Sequence, residues 1–179
     1  MSSPRNRAPA FAGVTAVARA AALAFALAAV TSCGFQLRGD PALGVKALAV
    51  TAAGGSTVAA DIRRALRGSS ATGLAPNADT AEAHLRILQE ARDKSVFTIT
   101  GAGRVYEHQL RLIVRYELAR RGHEEPVIAP TEVEARRLIT YNEAAPVAKE
   151  AEEALLYKDM QVELAGRILR QVAIAQGAR

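Results

Sequence analysis

From Tyr106 to Leu118 the side chains change chemistry at almost every step. Tyr106, His108, Leu110, Leu112, Val114, Tyr116 and Leu118 project to one side of an extended chain; Glu107, Gln109, Arg111, Arg115 and Glu117 project to the other, and Ile113 is the one exception. A helix repeats every 3.6 residues and cannot hold a period of two over this length. The segment therefore belongs to a sheet with one dry and one wet face.

The neighbouring segments supply its partners. Ala83, Leu85 and Ile87 alternate with His84, Arg86 and Leu88, and the strand pattern continues through Ser95-Val96-Phe97-Thr98-Ile99. Gly101-Ala102-Gly103 reads as the hairpin bend, because no Lys-Ser/Thr follows it and no helix opens behind it, as a phosphate loop would require. Arg120-Arg121-Gly122-His123 closes a second hairpin. The third strand runs from Val127 to about Tyr141, with Val127, Ala129, Val133, Ala135 and Ile139 inward and Glu132, Glu134 and Arg136 outward. Pro130 has no N–H for a ladder, which places this strand at an edge.

Two helices cover the dry face. Ser56 caps the first, whose inward residues are Val58, Ile62, Ala65 and Leu66, and Gly68 ends it. Arg63, Arg64 and Arg67 lie near its C-terminus, where the helix dipole favours cations; they read as a solvated face before they read as an anion site. A short apolar run, Val45 to Thr51, precedes this helix as a buried strand, and Ser69 to Thr80 is loop-like. Asn142 to Pro146 turns the chain into the second helix, Val147 to about Gln176. Ala151, Leu155, Val162, Ala165, Leu169 and Val172 form its stripe, widened by Leu156, Met160 and Ile168, with Lys149/Glu153 and Glu163/Arg167 paired on its wet side. The expected fold is α+β: a two-layer sandwich in the order β-α-β-β-β-α, with both helices on one face of a roughly four-stranded mixed sheet.

The N-terminus has a different character. Arg5, Arg7 and Arg19 precede an uncharged run, Ala20 to Val30, which is too short to span a bilayer and has the build of a secretory signal. It ends in Val30-Thr31-Ser32-Cys33, which resembles a bacterial lipobox. That resemblance implies cleavage before Cys33, the only cysteine, and its acylation with diacylglyceryl and palmitate-type chains. Gly34 in place of aspartate implies transfer to the outer membrane. The expected organisation is a removed signal peptide at 1–32, a lipidated tether at 33–44, one domain at 45–176 and a tail at 177–179.

Removing 32 of the 179 residues takes three of the 23 Lys and Arg and none of the 18 Asp and Glu, leaving 20 against 18 and a balance of +2. The high isoelectric point of the whole chain is thus no argument for nucleic acid. His84, His108 and His123 lack metal-ligand spacing, no Gly-x-Ser-x-Gly elbow is present, and the carboxylates mostly alternate with arginines as surface charges do. These features point to no catalytic residue, metal or cofactor. A binding or assembly protein is the expectation, with a lipoprotein enzyme as the rival class.

Cys33-Gly34-Phe35-Gln36-Leu37-Arg38 resembles the Cys-Gly-Phe/Trp-x-Leu-Arg start of mature LptE-family lipoproteins. Ser95-Val96-Phe97, Tyr106-Glu107-His108-Gln109-Leu110, Tyr141-Asn142 and Ala148-Lys149-Glu150 recur in the family's order. The resemblance implies an outer-membrane, non-enzymatic lipoprotein that forms a one-to-one complex with the LptD β-barrel. It would sit in the barrel as a plug and assist barrel assembly and delivery of lipopolysaccharide to the outer leaflet. It also implies lipopolysaccharide contact at Lys149. Thr98 stands where some relatives carry an arginine, leaving Lys94 and Arg104 as the nearby cations. A periplasm-facing lipid-binding or transport-accessory lipoprotein of another system remains the alternative.

Overall fold

A computed structural model describes residues 43–141 and 146–177; the expected signal, Cys33, nearly all of the tether and most of the turn at 142–146 lie outside them. The elements are β1 (Ala47–Ala52), α1 (Thr57–Gly68), β2 (Gly73–Leu74), β3 (Ala83–Ile99), β4 (Val105–Arg120), β5 (Ile128–Thr140) and α2 (Pro146–Ala175). The strands form one mixed sheet in the order β2-β1-β3-β4-β5, with β1 parallel to β2 and β3 and the other pairs antiparallel. The α+β class is as expected, and β5, which carries Pro130, is indeed an edge.

The sheet has one strand more than expected. Within the segment read as a loop, Gly73 donates its N–H to Lys46 O at 2.8 Å, and the buried Thr72 hydroxyl donates to Val45 O at 2.9 Å. Two residues carry no period, so pairing with β1, rather than any local pattern, makes this strand.

Leu48 and Val50 of β1, Leu85 and Ile87 of β3, Leu110 to Leu118 of β4 and Val133, Ala135 and Ile139 of β5 pack with both helices in one core, which Leu43 and Val45 also join. In α1 the Ser56 hydroxyl caps the helix by accepting the Ala59 N–H at 3.0 Å, and Val58, Ala59, Ile62 and Leu66 face inward. Ala65, expected in that stripe, is exposed and Ala59 takes its part.

Helix α2 buries the C-terminal part of the stripe read from its sequence, Ala165, Leu169 and Val172 with Met160 and Ile168, but not the N-terminal part. Tyr157, Met160, Leu164, Ala165, Ile168, Leu169 and Val172 are buried, whereas Ala151 is exposed and Leu155 and Val162 are 63% and 59% exposed. The helix has apolar residues on more than one side, so periodicity alone could not choose between them. The buried side includes Tyr157, whose hydroxyl donates to Asp93 O at 2.9 Å.

Besides the register shifts near the hairpin tip at Val96/Thr98 and Thr98/Ile99, two bulges reset the strands over the core. Leu88 is an extra residue between the pairs Ile87/Tyr116 and Gln89/Arg115, so that Glu90, opposite the buried Val114, turns to the helix side. On β5 the ladder skips between Tyr116/Thr131 and Leu118/Ile128. Ile128 therefore packs on the core, while Val127 and Ala129, expected inward, are exposed.

Candidate functional site

The core stops short of the β3–β4 hairpin. Leu110 is fully buried, His108 two residues on is half-buried, and Tyr106 is 52% exposed, although all three share one face of β4. His108 leaves the core for an edge-to-face contact with Tyr141, ring centroids 5.6 Å apart. Val96, Phe97, Ile99, Leu138 and Tyr141 are exposed at this same end, as is Val147 at the start of α2. This cluster went unnoticed in the sequence because the alternation continues to Tyr106 and predicts burial there. Exposure follows because α2 begins only at Pro146 and, among the described residues, no layer lies above the hairpin tip.

The three candidate cations come to this end in different states. Lys149 donates to Thr140 Oγ1 at 3.0 Å and pairs with Glu152 at 2.8 Å, rather than with Glu153 as its spacing suggested. Glu153 instead meets Lys94 at 2.6 Å across the helix–sheet boundary. Thr140 lies opposite Glu107 and Lys94 opposite Leu110, so the two lysines are separated by about 10 Å along the strand direction. Arg104 lies in the turn, about as far beyond Glu107 in the other direction. Its N–H donates to Thr100 Oγ1 at 3.1 Å. Among the described residues its guanidinium meets no carboxylate. Thr98 donates its hydroxyl to Glu107 at 3.0 Å, so no cation occupies that place.

The uncovered face of the sheet is charged and internally paired. Arg111 of β4 contacts Glu134 of β5 at 3.0 Å and Asp93 of β3 at 3.9 Å; Arg136 also pairs with Glu134, and Arg86 with Glu117. Hydrogen bonds from Arg136 and Arg111 hold the Glu134 carboxyl below the usual range. On the other face Glu163 is held low chiefly by Arg137, at 2.7 Å, with Arg167 at the expected i, i+4 position also at 2.7 Å.

The histidines are dispersed. His84 bonds to the Thr51 hydroxyl at 2.8 Å, and burial followed by the charge of Arg86 lowers its pKa. It lies opposite Ala119, eleven residues along β4 from His108 and therefore about 36 Å away. Among the described residues no group of three or more His, Cys, Asp or Glu gathers as a metal site, and no helix is long and apolar enough to cross a membrane.

Comparison with known proteins gives these surfaces a context. A family model described as LptE, lipopolysaccharide-assembly, matches residues 45–172. Lipoprotein B of Nitrosomonas europaea, solved in solution, superposes with a TM-score of 0.69 at 32% identity, over 81% of this chain and 94% of that one. The rare lipoprotein B of Shewanella oneidensis gives 0.64 at 24% identity over 73% and 96%, and a minor lipoprotein of Acinetobacter baumannii 0.58 at 20% over 72% and 91%. These last two share the fold. No curated protein matches the chain.

Proposed function

The chain belongs to the LptE family of lipopolysaccharide-assembly proteins, and from that membership we propose that it is the lipid-anchored plug of an LptD β-barrel in the outer membrane. Acylation of Cys33 fixes it to the bilayer: each buried methylene contributes about 0.8 kcal/mol, and more than one chain makes the attachment stable. The complex is one-to-one, and the protein assists both assembly of the barrel and insertion of lipopolysaccharide into the outer leaflet.

The observation that carries this reading is the open face of the sheet. The lumen of a large transmembrane barrel is polar, and a plug within it needs a surface that is hydrophilic yet not strongly of one sign. The Asp93–Arg111–Glu134–Arg136 chain of ion pairs, flanked by Arg86–Glu117, has that character.

Lipopolysaccharide handling belongs to the hairpin end. Phosphates and acyl chains on one molecule need cations and exposed apolar groups side by side. Arg104 and the ion-paired Lys94 and Lys149 are spread over about 20 Å of this end of the sheet, where Val96, Phe97, Ile99 and Tyr106 are exposed. The test is extraction of outer membranes in mild detergent and isolation of the tagged protein. LptD is expected to co-elute in equal amount, and recovery of the protein free of any barrel overturns the proposal.

A further inference from the structure

The ladder between β3 and β4 keeps one register from Gln89/Arg115 to Ile99/Val105 except at a single pair. Both strands advance three residues from Val96/His108 to Ile99/Val105, so a regular ladder would carry Phe97/Glu107 and Thr98/Tyr106 between them. Instead Thr98 stands opposite Glu107, and Phe97 and Tyr106 have no partner across this ladder. One extra residue on each strand makes a pair of bulges that cancel. The turn beyond them is closed in the ordinary way, with the Thr100 N–H donating to Arg104 O at 2.7 Å.

The core does not impose this arrangement. Register is strongly specified where one face of a strand is buried and weakly where neither is. Val96, Phe97, Ile99 and Tyr106 are each more than half exposed, so local side chains decide here. Strict alternation from Ser95 would put Phe97 beside Glu107 on the uncovered face and Thr98 on the other. The Thr98 hydroxyl instead donates to the Glu107 carboxylate at 3.0 Å, so the threonine holds that place and Phe97 is displaced from it. A hydrogen bond to an ionised acceptor is about twice as strong as one between neutral groups, which lets this one offset the loss of the regular pairs.

We propose that the Thr98–Glu107 hydrogen bond is a register latch: it selects the bulged ladder that presents Phe97 and Tyr106 to an acyl chain, and the regular ladder that forms without it withdraws them. Bulges re-aim side chains, and this pair frees one aromatic ring from each strand at the same level of the hairpin. Because the two shifts cancel, the exchange between ladders is confined to Phe97, Thr98, Tyr106 and Glu107 and moves neither the turn nor the core. Thr98 and Glu107 are then positioning residues, and Phe97 and Tyr106 the groups that touch the ligand. The ligand part rests on lipopolysaccharide handling at the hairpin end; the latch itself does not.

The full mature protein in detergent, labelled for NMR, is compared with Thr98→Val, which keeps the side-chain shape but loses the hydroxyl, with Thr98→Ser, which keeps the hydroxyl, and with Phe97→Ser. Cross-strand proton contacts from position 98 are expected to run to Glu107 in the parent and in Thr98→Ser, and to Tyr106 in Thr98→Val, with contacts around Leu85 and Leu118 unchanged throughout. Retention of radiolabelled lipopolysaccharide on the tagged protein is expected to fall about tenfold in Thr98→Val, the factor that one hydrogen bond of register preference supplies. It should fall in Phe97→Ser as well, at unaltered register, and stay at the parent level in Thr98→Ser. Contacts from position 98 to Glu107 that survive in Thr98→Val overturn the latch. So does retention by Thr98→Val or Phe97→Ser equal to the parent, or a Thr98→Ser protein that behaves like Thr98→Val. A parent that retains no lipopolysaccharide overturns the hairpin site instead, and the register of Thr98→Val then decides the latch alone.

Discussion

The carboxylate of Glu90, in the middle of β3, accepts the backbone N–H of Val58 at 3.1 Å and so closes the first turn of α1 from another element of the fold. Ser56 and Thr57 donate their hydroxyls to the same carboxylate at 2.6 and 2.5 Å. Helix starts leave N–H groups without partners and carry partial positive charge, so a fixed anion there joins helix to sheet. Glu90→Ala removes three bonds to a charged group; the expected cost is about 1.5–3 kcal/mol in urea unfolding. A midpoint unchanged from the parent contradicts the role.

Acid should act through the same group. Burial alone would raise the Glu90 pKa, but the bonds from Ser56, Thr57 and Val58 outweigh it and leave the value lowered. A carboxylate lowered in the folded state contributes its full stability above the unfolded value of about 4.5 and loses it as pH falls through the folded value. Glu134 and Glu163 are lowered as well, so stability is expected to fall below about pH 4.5. Glu90→Gln should shrink that fall when unfolding is compared at pH 7 and pH 3.

The face of α2 is testable by truncation. Met160 is fully buried and Leu155 is 63% exposed. Met160→Ala is expected to cost about 2–5 kcal/mol, with Leu155→Ala within about 0.5 kcal/mol of the parent. The opposite ranking would put Leu155 on the buried side, as its place in the expected stripe implied.

The proposed acylation of Cys33 makes processing depend on its sulfur. Cys33→Ala should accumulate as unprocessed precursor that takes up no labelled palmitate, measured by gel mobility and radiolabel. A cleaved, lipid-free mature form of the parent would contradict the anchor.

Lipopolysaccharide contact is tested by reversing Lys149 and Arg104 together to Glu. Binding is expected to weaken about tenfold, about 1.4 kcal/mol. Thermal stability should stay within about 1 kcal/mol of the parent, because the ion pair lost among the described residues, Lys149–Glu152, is a surface one. Undiminished binding removes both residues from the site.

Wherever one period ran uninterrupted, the fold was legible. Leu110 to Leu118 and Val133 to Ile139 lie as their alternation required, and Ser56 caps α1 as its position before the apolar run suggested. Legibility failed where a tertiary partner decides. Leu88 inserts without changing the apolar character of its neighbours, and only pairing with Arg115 shows that Glu90 has turned inward. β2 exists only through β1. Tyr106 and His108 keep the inward register but lie beyond the cover of the core. Spacing suggested Glu153 as the partner of Lys149, but the partner is Glu152, and spacing could not tell the two apart, since i+3 and i+4 neighbours are both within reach.

The overhanging hairpin also divides the molecule mechanically. Between Val96 and Tyr106 the two strands are held by their own backbone bonds, with almost no buried apolar surface to make their opening cost as much as global unfolding. Amide protons there should exchange with solvent far sooner than those around Leu85 and Leu118, so this arm can fray and reclose while the rest of the domain stays intact.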